Sequence, residues 1–353
     1  MGSVIVGTGI GVPDRVVTND DLARIMDTDD AWIRKRTGVA ERRFVEPGVG
    51  ASDLGAEAGT AALSDAGIEP GDVDLIVTAT MTPDALAPGI SALVQDKMGI
   101  GEVPAYDLRQ QCSGFLYGLD MADAMITAGR AETALVVGAE VHAGFQPWGD
   151  TWDIVTGASD REPTAAEYAR NTHYRGWSVL FGDGAGAAVL RRSENPSHGF
   201  LSSKLYTDGS RFELIHIPGV GFSRRPYVDE TQLDDNLHLP QMDGRGLFRM
   251  AVASMPAAVV AAAEQAGIDP GDIDLVIAHQ ANARIIDGVR KQLGLDEDKV
   301  PINIDRYGNT TAGTLPILYH EMRRAGRVPS GTTVCFTAFG AGAHWGAAIY
   351  REP

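Results

Sequence analysis

One feature limits the possible folds more than any other. Residues 67–77, Gly-Ile-Glu-Pro-Gly-Asp-Val-Asp-Leu-Ile-Val, recur as residues 267–277, Gly-Ile-Asp-Pro-Gly-Asp-Ile-Asp-Leu-Val-Ile, at a constant offset of 200. Each copy follows an Ala-rich stretch with helical character, residues 53–65 and 251–265. In both, Gly ends the helix, Pro-Gly-Asp makes a turn, and a β-branched apolar run reads as a strand buried on both faces. Helix, turn and strand repeating in register mark a duplication. The likeness extends from residues 134–138 to residues 333–337, and each half closes with a Gly-rich turn entering an apolar strand, at 182–190 and 340–350. Alternating helix and strand signals predict stacked α/β layers. The halves are expected to be 1–192 and 199–353, joined through a charged link containing Asn195-Pro196. Residues 146–177, which hold Trp148, Trp152 and Trp177, and residues 213–244 stand outside the repeat and read as functional covers or flexible segments.

The 353 residues carry 30 Lys+Arg against 47 Asp+Glu, a formal charge of −17. That acid excess argues against nucleic-acid binding. The two cysteines, Cys112 and Cys335, are too few for a disulfide framework and fit a reducing, cytoplasmic setting. The first residues read as a buried strand and not as a signal peptide, and no uncharged apolar run approaches the twenty residues of a membrane span. Gly7-Thr8-Gly9-Ile10-Gly11 resembles a dinucleotide fingerprint but meets Val12-Pro13 where a helix should start. Residues 182–187 fit the same pattern by letters and run on as a strand. No phosphate loop and no spaced metal-binding cluster is present, so no metal or resident cofactor is expected.

Three residues carry chemistry. Cys112 lies between a strand at 103–108 and a helical run with Phe115, Leu116, Leu119, Ala122 and Ile126 on one face. A helix N-terminus there would favour the thiolate. His279 closes the second repeated strand, where the offset gives Ala79 in the first half, so one half has replaced a small residue by an imidazole. Asn309 sits in Gly308-Asn309-Thr310, a turn by default. Position 112 plus 200 is 312, which makes this loop the pseudo-symmetric partner of the Cys112 loop. Cys335, inside an apolar strand, reads as inert.

Cys112-Ser113-Gly114-Phe115, His279-Gln280-Ala281-Asn282, Gly308-Asn309-Thr310 and Phe339-Gly340-Ala341-Gly342 with Trp345-Gly346 together resemble the β-ketoacyl-acyl-carrier-protein synthase III family of thiolase-like condensing enzymes. The resemblance spans nearly the whole chain. It implies a duplicated five-layered αβαβα fold, a homodimer, and a Cys112, His279, Asn309 catalytic set. It further implies an oxyanion hole from the amides of Cys112 and Ala341, and coenzyme A contacts from Trp32, Arg36 and Arg175. Acyl-CoA and a malonyl thioester, on coenzyme A or an acyl carrier protein, would be substrates and not cofactors. Arg284, Arg290 and Lys291, on a helix after His279, are candidates for docking the acidic carrier. The sequence departs from the family at Gln110-Gln111, where small residues are usual, and in a longer 146–177 segment. The Trp residues of that segment are expected to line or lid an acyl pocket or to extend a dimer interface.

The leading function is therefore acyl loading from coenzyme A onto Cys112, then decarboxylative condensation with a malonyl thioester in fatty-acid or polyketide-type biosynthesis. The alternative keeps the acyl-cysteine but passes it to an oxygen or nitrogen nucleophile. Thiolase itself fits less well, because Phe339 stands where thiolases place a second cysteine. A non-catalytic partner subunit is disfavoured by the joint presence of Cys112, His279 and Asn309.

Overall fold

The computed structural model describes residues 2–353. The strands of its two main sheets, in chain order, are β1 (Ser3–Gly11), β2 (Leu75–Ala79), β3 (Ala105–Leu108), β4 (Thr133–Glu140), β5 (Gly184–Arg192), β6 (Gly199–Thr207), β7 (Leu275–Ala278), β8 (Thr333–Gly340) and β9 (His344–Arg351). The helices that matter here are α1 (Asp30–Thr37), α2 (Ala51–Ala66), α3 (Gly114–Thr127), α4 (Ala165–Ser178), α5 (Gly244–Ala266), α6 (Ala283–Leu293) and α7 (Thr314–Arg324).

The two main sheets have the strand orders β1-β5-β4-β2-β3 and β7-β8-β9-β6, and two small two-stranded sheets lie outside them. In the first, β2 runs parallel to β3 and β4, and β5 lies antiparallel between β4 and β1. The second repeats this scheme: β7 is parallel to β8, and β9 lies antiparallel between β8 and β6. The repeated turns superpose in detail, with Gly67 at φ 65° and Gly267 at φ 69° closing α2 and α5. Both are left-handed positions that favour glycine.

Burial sets the order of the layers. α2 packs on the outer face of the first sheet, and α5 with α6 on the outer face of the second. Between the sheets lie α3 and α7. The face Phe115, Leu116, Leu119, Ala122 and Ile126 expected from periodicity meets Leu315, Leu318 and Tyr319 in one cluster shared by both halves. The result is the expected five-layered αβαβα fold.

The glycine run at the N-terminus now has a physical account. A Cβ on Gly7, Gly9 or Gly11 would lie 2.4, 2.3 or 2.3 Å from the carbonyl oxygens of Ala62, Ala58 and Leu54. Alternate residues of β1 thus face every fourth residue of α2 at a distance only glycine permits. The motif brings helix and strand together. One helix among the described residues, α5, is long and apolar enough to cross a membrane. Its apolar side, with Ala251, Met255, Ala258, Val259, Ala262 and Ala263, is buried against the second sheet.

Candidate active site

Two matching loops meet between the sheets. After β3 the chain makes a tight turn, Gln111–Ser113, and enters α3; after Asn309 it makes the same turn, Thr311–Gly313, and enters α7. Gln111 and Thr311, each the first turn residue, hold φ of 52° and 49°. Left-handed non-glycine residues cost about 1 kcal/mol or more apiece. That strain recurs 200 positions apart because both loops bend sharply to aim the next residue inward.

The second residue of each turn diverges. Cys112 is partly exposed to a cavity of about 570 Å³, which His279, Asn309 and Ala341 also line. The opposite loop places Ala312, whose N–H lies 3.4 Å from the Glu140 carboxylate. Glu140 is fully buried and also accepts from Met81 N, Thr82 N and the Thr82 hydroxyl, so it ties the second-half loop to the first half.

Burial works against the thiolate expected at Cys112 from its place at a helix start. Burial, followed by the Glu140 charge, pushes the thiol up to about 12, against the smaller opposing effect of its own backbone N–H and the Thr311 hydroxyl. Helix position alone did not decide the outcome because desolvation outweighs it.

Asn309 has a defined orientation. Its Oδ1 accepts from Thr311 N at 2.8 Å, and its backbone bonds to Leu180 O and Gly182 N, so the carboxamide NH₂ is left as the free donor. His279 Nδ1 lies 2.7 Å from the Thr314 hydroxyl, which also reaches Thr311 O at 3.0 Å. Burial lowers His279 to about 3, so the ring is neutral. Gly340 closes the site: a Cβ there would stand 2.8, 2.9 and 3.0 Å from Gln110 O, Ser113 N and Cys112 N.

The remaining candidates divide. Trp32, Arg36 and Arg175 come together, with the two guanidinium carbons 4.1 and 4.9 Å from the indole centre. Arg175, on α4, also pairs with Asp27 at 2.8 Å. Arg290 and Lys291 do not form a free basic face, because both are paired with Asp287, at 2.8 and 2.6 Å. Arg284 instead faces a groove with Arg245 and Arg249 of α5, which shares Met242, Gly244, Asn282 and Ile285 with the cavity. The i, i+4 spacing of Arg245 and Arg249 on a helix was the available signal for this pair.

The tryptophans of 146–177 do not line the cavity. Trp148 and Trp152 pack edge-on against Phe44, and Trp177 backs Phe145 and Phe181, which do line it. Trp148 and Trp152 join Phe44 in a satellite core, and Trp177 belongs to a smaller cluster with Leu180, Phe181 and Leu239. The 213–244 segment supplies wall residues in their place: Ile215, His216, Ile217, Pro240 and Met242.

Comparison with known proteins agrees with this geometry. The model for 3-oxoacyl-[acyl-carrier-protein] synthase III matches residues 106–157 and 163–209, and that for the C-terminal part of the same family matches 263–352. β-Ketoacyl-[acyl-carrier-protein] synthase III of Caldanaerobacter subterraneus is 40% identical over 98% of this chain and 97% of its own. The crystal structure of 3-oxoacyl-[acyl-carrier-protein] synthase III from Aquifex aeolicus gives a TM-score of 0.85 at 38% identity, covering 99% and 100% of the two chains. The priming β-ketosynthase of the R1128 polyketide pathway gives 0.85 at 30%, covering 99% and 96%. With a duplicated five-layered fold, paired loops and full-length similarity in agreement, the chain belongs to the 3-oxoacyl-[acyl-carrier-protein] synthase III family.

Proposed function

We propose that this protein loads an acyl group from acyl-CoA onto Cys112 and condenses it with a malonyl thioester. The observation that carries the reading is the convergence of Cys112, from one half, with His279 and Asn309, from the other, on one largely apolar cavity. In the first half-reaction the Cys112 sulfur attacks the thioester carbonyl, the coenzyme A sulfur leaves with a proton, and the amides of Cys112 and Ala341 hold the oxyanion. In the second, the malonyl thioester loses CO₂. Developing charge on its carbonyl oxygen is met by the Asn309 NH₂, with the His279 ring, whose Nδ1 lies 2.7 Å from the Thr314 hydroxyl, beside it. The enolate carbon attacks the acyl-cysteine carbonyl, a carbon–carbon bond forms, and the Cys112 sulfur leaves to regain its proton.

Trp32 with Arg36 and Arg175 would hold the nucleotide of coenzyme A by stacking and phosphate pairing. Arg284, Arg245 and Arg249 would receive an acidic carrier, with its pantetheine arm entering where groove and cavity join. The working unit is a homodimer of chains whose halves are 1–192 and 199–353; β3, an edge strand with Tyr106 exposed, is the surface for the second copy. Intact-mass spectrometry after acyl-CoA incubation should show one acyl adduct that Cys112→Ala removes, followed by CO₂ release when malonyl carrier is added. No adduct across short, branched, long and aromatic acyl-CoAs would refute the reading. An adduct without CO₂ release would favour transfer to an oxygen or nitrogen nucleophile.

A further inference from the structure

One cation in the cavity has no task in the chemistry above. Arg109, just past the end of β3, lines it together with Cys112, His279 and Asn309. Among the described residues it is the one Lys or Arg that does so, and none of the 47 Asp and Glu lines the cavity at all. The residue is exposed, and its guanidinium has no hydrogen bond or ion pair among the described residues. It is held by its backbone, whose carbonyl accepts from Gln111 Nε2 at 3.1 Å.

The repeat says where this side chain starts. Position 109 plus 200 is 309, so Arg109 is the counterpart of Asn309. The backbones that follow agree closely: Gln110 and Thr310 have φ, ψ of −88°, 22° and −90°, 23°, and Gln111 and Thr311 have φ of 52° and 49°. The two residues therefore leave equivalent backbone, one from each half, on one cavity. They differ in what holds them. Asn309 Oδ1 is fastened to Thr311 N, which fixes its NH₂. Arg109 has no such tether, and its long side chain carries a fork of donors that matches a carboxylate two by two. Closing the cavity over a neutral substrate would strip water from this guanidinium with no acceptor in exchange, whereas a carboxylate would supply one.

We propose that Arg109 is a substrate-binding residue that holds a carboxylate inside the cavity. The proposal rests on the reading of Cys112 as the acyl acceptor. The carboxylate has two sources: the malonyl extender, or an acyl group with a carboxylate at its far end. They differ kinetically. The malonyl carboxylate leaves as CO₂, and the electrons of the broken carbon–carbon bond pass to the enolate, so a contact with it is made in the ground state and lost in the transition state. A far-end carboxylate takes no part in bond making, and its contact persists through acyl loading.

The test compares wild type with Arg109→Met on the full chain, with sedimentation to follow the oligomeric state. Loading of Cys112 by butyryl-CoA and by succinyl-CoA is read by intact mass, and CO₂ release from malonyl-CoA is measured on acyl-loaded enzyme. The coenzyme A phosphates are common to all three probes, so the butyryl arm controls for them. Butyryl loading should not slow. If the acyl group supplies the carboxylate, kcat/KM for succinyl loading should fall about ten- to a hundredfold, the range for a hydrogen-bonded charge. If malonyl supplies it, KM for malonyl-CoA should rise by that factor while kcat does not fall. Either pattern supports the proposal, and Arg109→Lys, which keeps the charge without the fork, should recover part of the loss. Equal slowing with butyryl-CoA, a change of oligomeric state in Arg109→Met, or no change with any of the three probes would overturn it. An adduct on Cys112 that is indifferent to Arg109→Met defeats this inference alone, whereas no adduct from any acyl-CoA in wild type refutes the proposed function and this inference with it.

Discussion

Replacing Gly340 by alanine tests how closely the two halves are fitted at the site. The new Cβ would lie 2.8 Å from Gln110 O, 2.9 Å from Ser113 N and 3.0 Å from Cys112 N. All three are backbone atoms of the turn that presents the nucleophile, so no side chain can swing aside. Relief to ordinary contact requires β8 and this turn to separate by about half an ångström, at the scale of 1–3 kcal/mol found for overpacking. The amide of Cys112 moves with the turn. Because a misplacement near 1 Å costs about a hundredfold in rate, a shift half that size should slow acyl loading by about tenfold. The assay is single-turnover acylation by intact mass, with thermal unfolding in parallel. Gly101→Ala is the control: a Cβ there meets nothing within 4 Å, and both readouts should stay at wild type. A Gly340→Ala protein that acylates at the wild-type rate would refute the idea that contact across the halves fixes the oxyanion amide.

Other substitutions separate the two half-reactions and the approach to the site. Asn309→Ala removes the free donor and leaves Thr311 N without its acceptor; CO₂ release should fall by about a hundredfold, as for loss of an oxyanion donor, while acyl loading of Cys112 persists. Arg284→Glu should raise KM for malonyl carrier several-fold, and less so at high salt, whereas Lys291→Glu, whose ammonium is paired with Asp287, should change KM little. Acid stability should show a shoulder. His142 and His279 are lowered to about 4 and 3 and stay neutral when folded, so each destabilises as pH falls below 6.5; Glu140 and Asp183, raised to about 7, do the reverse between pH 7 and their unfolded values near 4. Urea midpoints should be nearly level between about pH 4.5 and 6.5 and drop steeply below, where carboxylates held low by their partners, Glu167 at about 2 among them, add to the loss from the histidines. A monotonic loss from pH 6.5 downward would contradict the buried carboxyl assignments.

What the sequence disclosed was what repeats and what alternates. The offset of 200 placed helix caps, strands and the loop opposite Cys112, because a duplicated backbone keeps its turns when its side chains drift. The inward face of α3 followed from 3.6-residue spacing. Long-range charge and burial were not legible. Burial, then the charge of Glu140, 28 positions away, push Cys112 up, and the single carboxylate of Asp287 pairs with both Arg290 and Lys291, leaving one net positive charge where the sequence showed two. The tryptophans of 146–177 failed as cavity residues because nothing in a polar, Trp-bearing segment distinguishes a lid from a small core of its own.

The repeat also explains why only one half received the imidazole. In the first half the positions equivalent to His279 and Thr314 are Ala79 and Gly114, and a Cβ on Gly114 would lie 2.8 Å from that of Ala79. The strand end and helix start are in contact there, with no room for a ring. In the second half the same contact is made by His279 Nδ1 and the Thr314 hydroxyl at 2.7 Å. A small–small contact has become a hydrogen bond, and the exchange is possible only as a pair: a histidine against Gly114 would leave Nδ1 buried without a partner, at a cost of about 1–3 kcal/mol. Divergence between nearly identical backbones thus follows from paired substitution at one contact, with Cys112 on the half whose helix start is glycine and His279 on the half whose helix start carries a hydroxyl.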